Sequence, residues 1–230
     1  MLIDAIERPP SLVEKVCQRL ALEIRERSTP ADEWLPTERE LAASLGVSRS
    51  VVREATKRLE QQGLLEIRQG LGIRAVDRLH KPLNGSLELL IPDQTQRLRQ
   101  LIELRTMVEP ELAALAATRA TTAQLLTIRA VHEQLVSAVS FDDRVHADMN
   151  FHRIIAHTAG NQIAELLLNS LSELLQAGLK LGYQRTQEGS PIKQHAAILE
   201  AIVKKDAALA KRAMRNHLRT ATTDLGFDPL

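Results

Sequence analysis

The chain is poor in several things, and each shortage closes a route. It holds one cysteine, Cys17, among 230 residues. That excludes an internal disulfide framework and a cysteine-rich zinc module. Aromatic residues make up only 2%, while alanine and leucine abound, a balance that favours helices over a β-sandwich. No run of about 18 apolar residues is present, so no transmembrane helix is expected. The opening MLIDAIERPPS has neither the basic head nor the apolar stretch of a signal peptide. A cytoplasmic protein without a membrane partner is the expectation. Net charge is +1, which does not announce a polyanionic partner by itself.

What is present is enough for one large domain or two ordinary ones: 44% hydrophobic and 26% charged residues. Over residues 1–76 twelve basic residues meet twelve acidic ones, yet the basic ones gather. Between Ser48 and Leu59 stand Arg49, Arg53, Lys57 and Arg58, opposed only by Glu54. Arg68 and Arg74 follow on a predicted hairpin.

That segment, Leu35 to Val76, carries the densest pattern. Ser11 with Glu14 predicts a capping box for a first helix whose apolar positions are Leu12, Val16, Leu20 and Ile24, ended by Ser28-Thr29-Pro30. Thr37 and Glu40 form a second capping box, and Gly46 stops that helix. Ser48 caps a third helix that turns Val51, Val52, Ala55 and Leu59 inward, with Gly63 at its end. Strands at 64–68 and 73–76 flank Gly70-Leu71-Gly72. Three helices and a hairpin make a winged helix-turn-helix, which places one helix in a DNA major groove. Arg49 and Arg53 lie opposite the apolar face, and Arg holds guanine O6 and N7 bidentately. Ser48 sits at a helix N-terminus, where free amides favour phosphate. Arg39 is placed for a phosphate or base edge, and the Gly70 tip allows close backbone approach. The competing reading is an amphipathic helix pair with a solvated basic face.

The residues Leu35-Pro36-Thr37-Glu38-Arg39-Glu40-Leu41-Ala42, then Val47-Ser48-Arg49, Val52-Arg53-Glu54-Ala55, Leu59 and Gly63-Leu64, resemble the N-terminal domain of GntR-family transcription regulators. The resemblance covers nearly all of residues 11–76. It implies DNA contacts at Arg39, Ser48, Arg49 and Arg53, with Gly70 at the wing tip. The chain departs from the family pattern twice. Glu33-Trp34 stands where a glycine is usual, and Ile73-Arg74-Ala75-Val76 replaces the usual Thr-Phe-Val of the wing.

Residues 77–96 read as a linker with one short helix near Leu87–Ile91. From Arg97 on, helical periods cover 97–118, 122–139, 142–158, 162–183, 191–203 and 206 to about 222. Thr121-Thr122, Gly160-Asn161, Gly189-Ser190-Pro191 and Lys205-Asp206 punctuate them. The expected organisation is mainly α: a winged domain at 8–76, a linker at 77–96 and an all-α antiparallel bundle at 97–224.

In the bundle Asp148 and His152 are four apart, so both leave the same helix face. His195 opens a later helix and His217 lies near the end of the last. One carboxylate and three imidazoles suit a divalent transition metal with open positions. Equally, an Asp/His pair at this spacing is common on solvated helices. His80, His132, His146 and His157 read as surface or packing residues. Arg105 needs an anion, either a ligand carboxylate or Glu109 four residues on.

Asp148-Met149-Asn150-Phe151-His152-Arg153-Ile154-Ile155 with Ala159-Gly160-Asn161 resembles the FCD effector domain of the FadR-type GntR branch. So do His195 to Ile202 and the run Asp206, Ala210, Met214, His217-Leu218. The resemblance implies a metal, zinc first and nickel second, on Asp148, His152, His195 and His217. It also implies an organic-acid effector at Arg105. The function expected is a homodimeric, ligand-responsive repressor, not an enzyme, that binds a palindromic double-stranded DNA operator. The alternatives are a regulator that answers to metal alone and a metal-dependent hydrolase.

Overall fold

The structure is a computed structural model that describes residues 9–26, 34–68, 70–76, 86–183 and 190–228. The expected helix stop at 28–30, Glu33, His80, the linker over 77–85 and Gly189 lie outside these. Two compact units divide the chain, residues 1–82 and 83–230.

In the first unit, α1 (Leu12–Glu26) begins where Ser11 and Glu14 exchange bonds: the Ser11 amide donates to the Glu14 carboxylate, and the Glu14 amide donates to the Ser11 hydroxyl. The same reciprocal pair, Thr37 with Glu40, starts α2 (Glu38–Leu45). Gly46 ends α2 with φ 65°, a left-handed turn that a side chain would strain. α3 (Arg49–Gln61) follows, its Ser48 hydroxyl accepting the Val51 amide. These starts and the Gly46 stop lie where the sequence predicts them, because each is set locally by its cap, while α3 ends at Gln61 with Gln62 as its cap, just before Gly63. Strands β1 (Leu65–Arg68) and β2 (Gly72–Ala75) pair antiparallel, Leu65 opposite Ala75 and Arg68 opposite Gly72. Val16 and Leu20, Leu41 and Ala42, Val52, Ala55 and Leu59, with Leu65 and Ile73, form one core under the three helices and the wing.

The second unit is a helical bundle: α4 (Gln94–Arg119), α5 (Thr122–Ser137), α6 (Phe141–Thr158), α7 (Gln162–Ser170), α8 (Ser172–Tyr183), α9 (Ser190–Val203) and α10 (Ala207–Asp224). A short helical turn at 86–90 precedes it. Asp93, Thr121, Ser140, Asn161 and Asp206 each accept amides as helix caps. Ala113, Ala116 and Ala117 of α4 are fully buried against Phe151 and Ile155 of α6, Ile198 and Ile202 of α9, and Met214 and Leu218 of α10. Small residues on one helix and large ones on its neighbours let the axes come close.

One expected helix is two. The apolar period runs unbroken through 162–183, but the chain leaves the helix at Leu171, with φ −100° and ψ 9°. Ser170 turns its hydroxyl back onto the Leu166 carbonyl at 2.7 Å, a bond that bends helices. The turn aims Leu171 into a second core with Leu98, Leu101 and Leu175. α8 lies tight on α4 there: a Cβ on Gly178 would stand 2.4 Å from a Leu98 methyl.

Candidate metal centre and nucleic-acid interface

Four helices of the bundle deliver ionisable side chains to one buried point. α4 supplies Arg105 and Glu109, α6 supplies Asp148 and His152, α9 supplies His195 and α10 supplies His217. All six are buried. Pro110, inside α4, removes one ladder hydrogen bond next to Glu109.

The imidazoles meet through the same atom. His152 Nε2 is 3.1 Å from His217 Nε2 and 3.2 Å from His195 Nε2. Each ring has its other nitrogen tied to an acceptor. His152 Nδ1 donates to Glu109 Oε2 at 2.5 Å, His195 Nδ1 to the Pro191 carbonyl at 2.8 Å, and His217 Nδ1 to Gln194 Oε1 at 3.0 Å. A carboxylate and a carbonyl only accept, so the ring protons sit on Nδ1 and the Nε2 lone pairs face the centre. Burial lowers the pKa of His195 to about 4 against the opposing pull of Asp148. Burial, then the neighbouring His195 and His152 and the Arg105 charge, hold His217 well below 6.5. Both rings are therefore neutral at pH 7, the form that binds metals.

Three lone pairs pointed at one another repel unless a cation lies between them. Two nitrogens held tetrahedrally at about 2.05 Å from a zinc ion stand roughly 3.3 Å apart. The observed separations match that spacing, so the donor set fits a divalent transition ion. Among the described residues His152, His195 and His217 are the set whose donor atoms all fall within 4.8 Å of one another. Asp148 stands beside them, one oxygen 3.7 Å from His152 Nε2 and the other 3.6 Å from His195 Nε2.

Arg105 is paired with Glu109. Its Nε donates to Oε1 and its Nη2 lies 3.4 Å from Oε2. Arg105 and the histidine beside it pull the Glu109 carboxyl down to about 2, against desolvation, which is the largest influence and acts the other way. Arg105 also lines a small cavity of about 40 Å³ with Asp148, Gln194 and His217. A larger cavity of about 560 Å³ reaches Glu109 and His152 from the side of His146, Asn150 and Arg153. His132 is a packing residue, edge-on to Phe151, and His157 pairs with Glu165 at the surface. Sequence reasoning missed Gln194 and the second bond of Glu109. Gln194 adjoins His195 in sequence, but no spacing rule ties it to His217.

In the winged unit Arg39, Ser48, Arg49, Arg53 and Gly70 are all exposed. Gly70 takes φ 78° at the tip of the hairpin. Among the described residues Arg39 and Arg49 make no ion pair, while Arg53 has Glu38 3.8 Å away. The expected basic charge of the hairpin is reduced: Glu66 binds Arg74 at 2.5 Å and Arg68 at 3.3 Å. Glu66 lies directly opposite Arg74 in the strand register, which brings the charges together. Trp34 braces the outer edge of β2 beside the tip of the wing. It bridges to Arg74, and its ring lies 3.4 Å from where a Cβ on Gly72 would be.

Comparisons with known proteins agree with both units. Residues 12–74 match the gntR family of bacterial regulatory proteins, and residues 100–220 match the FCD domain. The Glc operon transcriptional activator of Escherichia coli strain K12 is 32% identical over 231 residues, covering 95% of this chain and 90% of that one. The HTH-type transcriptional repressor NanR of Citrobacter rodentium is 30% identical over 220 residues, covering 92% and 84%. A solved GntR structure from Streptococcus agalactiae superposes with a TM-score of 0.68 at 31% identity, covering 90% of this chain and 97% of that one. These relatives are transcriptional regulators rather than enzymes, which sets the hydrolase alternative aside. No helix among the described residues is long and apolar enough to cross a membrane. The chain belongs to the GntR family of DNA-binding transcriptional regulators, with an FCD domain as its effector module.

Proposed function

We propose that the protein is a repressor whose FCD domain holds a divalent metal and senses a small carboxylate, which alters binding to a DNA operator. The observation that carries this reading is the convergence of three imidazole Nε2 atoms at 3.1–3.2 Å, each ring fixed from behind. His152, His195 and His217 hold the ion through Nε2, and Asp148 is the anionic fourth donor. Zinc is the preferred ion and nickel the alternative, since imidazoles with one carboxylate suit both. A bound ion of this kind supplies a Lewis acid for a carboxylate oxygen.

Charge supports an acid as the ligand. Arg105 contributes one positive charge, and Glu109 and Asp148 one negative charge each. A divalent ion turns that net negative centre into a net positive one, and a single ligand carboxylate then neutralises it. Arg105 meets the ligand through its Nη groups, because Nε is taken by Glu109 and the 3.4 Å Nη2 contact uses only one of that nitrogen's two N–H bonds. The cavity of about 40 Å³ is far below the usual few hundred for a metabolite. A ligand that contacts Arg105 from that cavity therefore requires neighbouring helices to part, whereas the cavity of about 560 Å³ already reaches Glu109 and His152. A ligand that binds only the parted arrangement shifts the population toward it.

At the other end Arg39, Arg49 and Arg53 reach base edges or phosphates, while Ser48 and Gly70 approach the backbone. Two copies in a homodimer read a palindrome. The relatives include an activator and a repressor by name; release of the operator on acid binding is the outcome proposed here. The test is a fluorescence-anisotropy titration on an operator selected in vitro, with metal-stripped protein, zinc-loaded protein and zinc-loaded protein plus a panel of organic acids. Release by an acid only in the zinc-loaded state is expected. An acid response that ignores zinc overturns the reading. The small cavity at Arg105 also favours a second reading, in which metal alone is the signal; release by zinc without any acid would select it.

A further inference from the structure

We infer that Glu109 is a positioning residue that joins Arg105 to the metal-facing ring of His152, so that Arg105 acts on metal affinity mainly through Glu109. The inference rests on the metal reading above. Glu109 is 3% exposed and both its oxygens are engaged. Oε1 accepts from Arg105 Nε, and Oε2 accepts from His152 Nδ1 at 2.5 Å. One carboxylate thus spans a guanidinium on its own helix and an imidazole on α6.

The three rings are not held alike. His195 leans on a backbone carbonyl and His217 on a neutral amide, but His152 leans on an ion. A charged acceptor behind an imidazole raises the basicity of the opposite nitrogen and fixes the ring's rotation. His152 is also the hub, since its Nε2 lies within 3.2 Å of both other Nε2 atoms. A slip of this ring disperses the whole donor set. Arg105 holds Glu109 from the other side, one helical turn away, and lines the small cavity with Asp148 and His217. A ligand drawn to Arg105 therefore disturbs the group that orients His152. By linkage, the metal alters ligand affinity by the same factor.

The experiment measures zinc affinity of the metal-stripped full chain by competition with a chromophoric chelator, for wild type, Glu109→Gln, Arg105→Gln and the double variant. Glu109→Gln is expected to weaken zinc binding by about 10- to 100-fold, the usual effect of losing such a partner. Arg105→Gln is expected to weaken it as well, but to add less than about 2-fold in the Glu109→Gln background. Effects that multiply, or wild-type zinc affinity in folded Glu109→Gln, overturn the inference and leave the metal reading standing. Absence of zinc binding by wild type overturns both. Glu109→Gln leaves a buried guanidinium unpaired, so if it fails to fold the uncharged double variant decides: about 10-fold or greater weakening supports the inference, and wild-type affinity overturns it. Long-range 1H–15N spectra of zinc-loaded wild type give an independent readout. A proton on His152 Nδ1 is expected, and coordination through Nδ1 would contradict the assignment.

Discussion

Metal-free protein should lose stability on acidification in a window set chiefly by His195. Its ring is fully buried, and desolvation brings its pKa down to about 4 from 6.5. In the unfolded chain the group returns to its ordinary value. Between about pH 6.5 and 4 the unfolded state therefore binds a proton that the folded state refuses. The stabilisation is complete above pH 6.5 and drains away as pH falls toward 4. The interval corresponds to about 3 kcal/mol. For a unit of this size that lowers Tm by about 6–12 °C. His217 shifts in the same direction and adds to the fall. Glu109 acts in a separate window: its stabilisation is present above pH 4.5 and lost between 4.5 and about 2. The assay is thermal melting of chelator-treated full chain by circular dichroism, from pH 7.5 to 4.5 at constant ionic strength. His195→Gln removes one titrating ring and should flatten the profile. A level Tm across this range, or an equal slope in His195→Gln, refutes the reasoning. Zinc should raise Tm at pH 7.5 by mass action and lose that effect as protons compete for the rings.

Three further outcomes follow from the same geometry. Arg49→Ala should weaken specific operator binding by roughly 5- to 150-fold, the loss of one bidentate base contact, while zinc content by mass spectrometry stays at wild-type level. Phe151→Ala should cost about 3–5 kcal/mol in chemical denaturation, because the ring is fully buried and packs edge-on 4.7 Å from His195; a near-neutral result would show that the bundle core refills. Trp34 is the single tryptophan of the chain and lies on the wing. Its emission, excited selectively, should therefore change on operator addition and not on addition of an unrelated short DNA at high salt.

Helix ends were legible wherever a cap is a local matter. Ser11 with Glu14, Thr37 with Glu40 and Gly46 each act within four residues, and the structure places all three as expected. The break at Leu171 was not legible, because the apolar period continues through it and only packing against Leu98 and Leu101 shows why the chain turns. Basic charge on the wing was overcounted because strand register, which sets Glu66 against Arg74, is not a sequence observable. In the bundle the i, i+4 rule finds Asp148 with His152 and Arg105 with Glu109. It does not tie His195 or His217 to that pair, because they come from other helices; they stood as candidates among the histidines, and the family resemblance selected them. Nor does it join Glu109 to His152, 43 residues apart.

The central claim is that the buried imidazoles form a preset metal site. Metal content of the chelator-stripped and reloaded full chain tests it most directly, with Co2+ absorption as a check on the ligand field. One zinc or cobalt ion per chain, lost in His195→Ala, with a d–d spectrum of tetrahedral or five-coordinate nitrogen and oxygen ligation, is the predicted result. No bound metal in wild type, or equal binding in His195→Ala, would contradict the account.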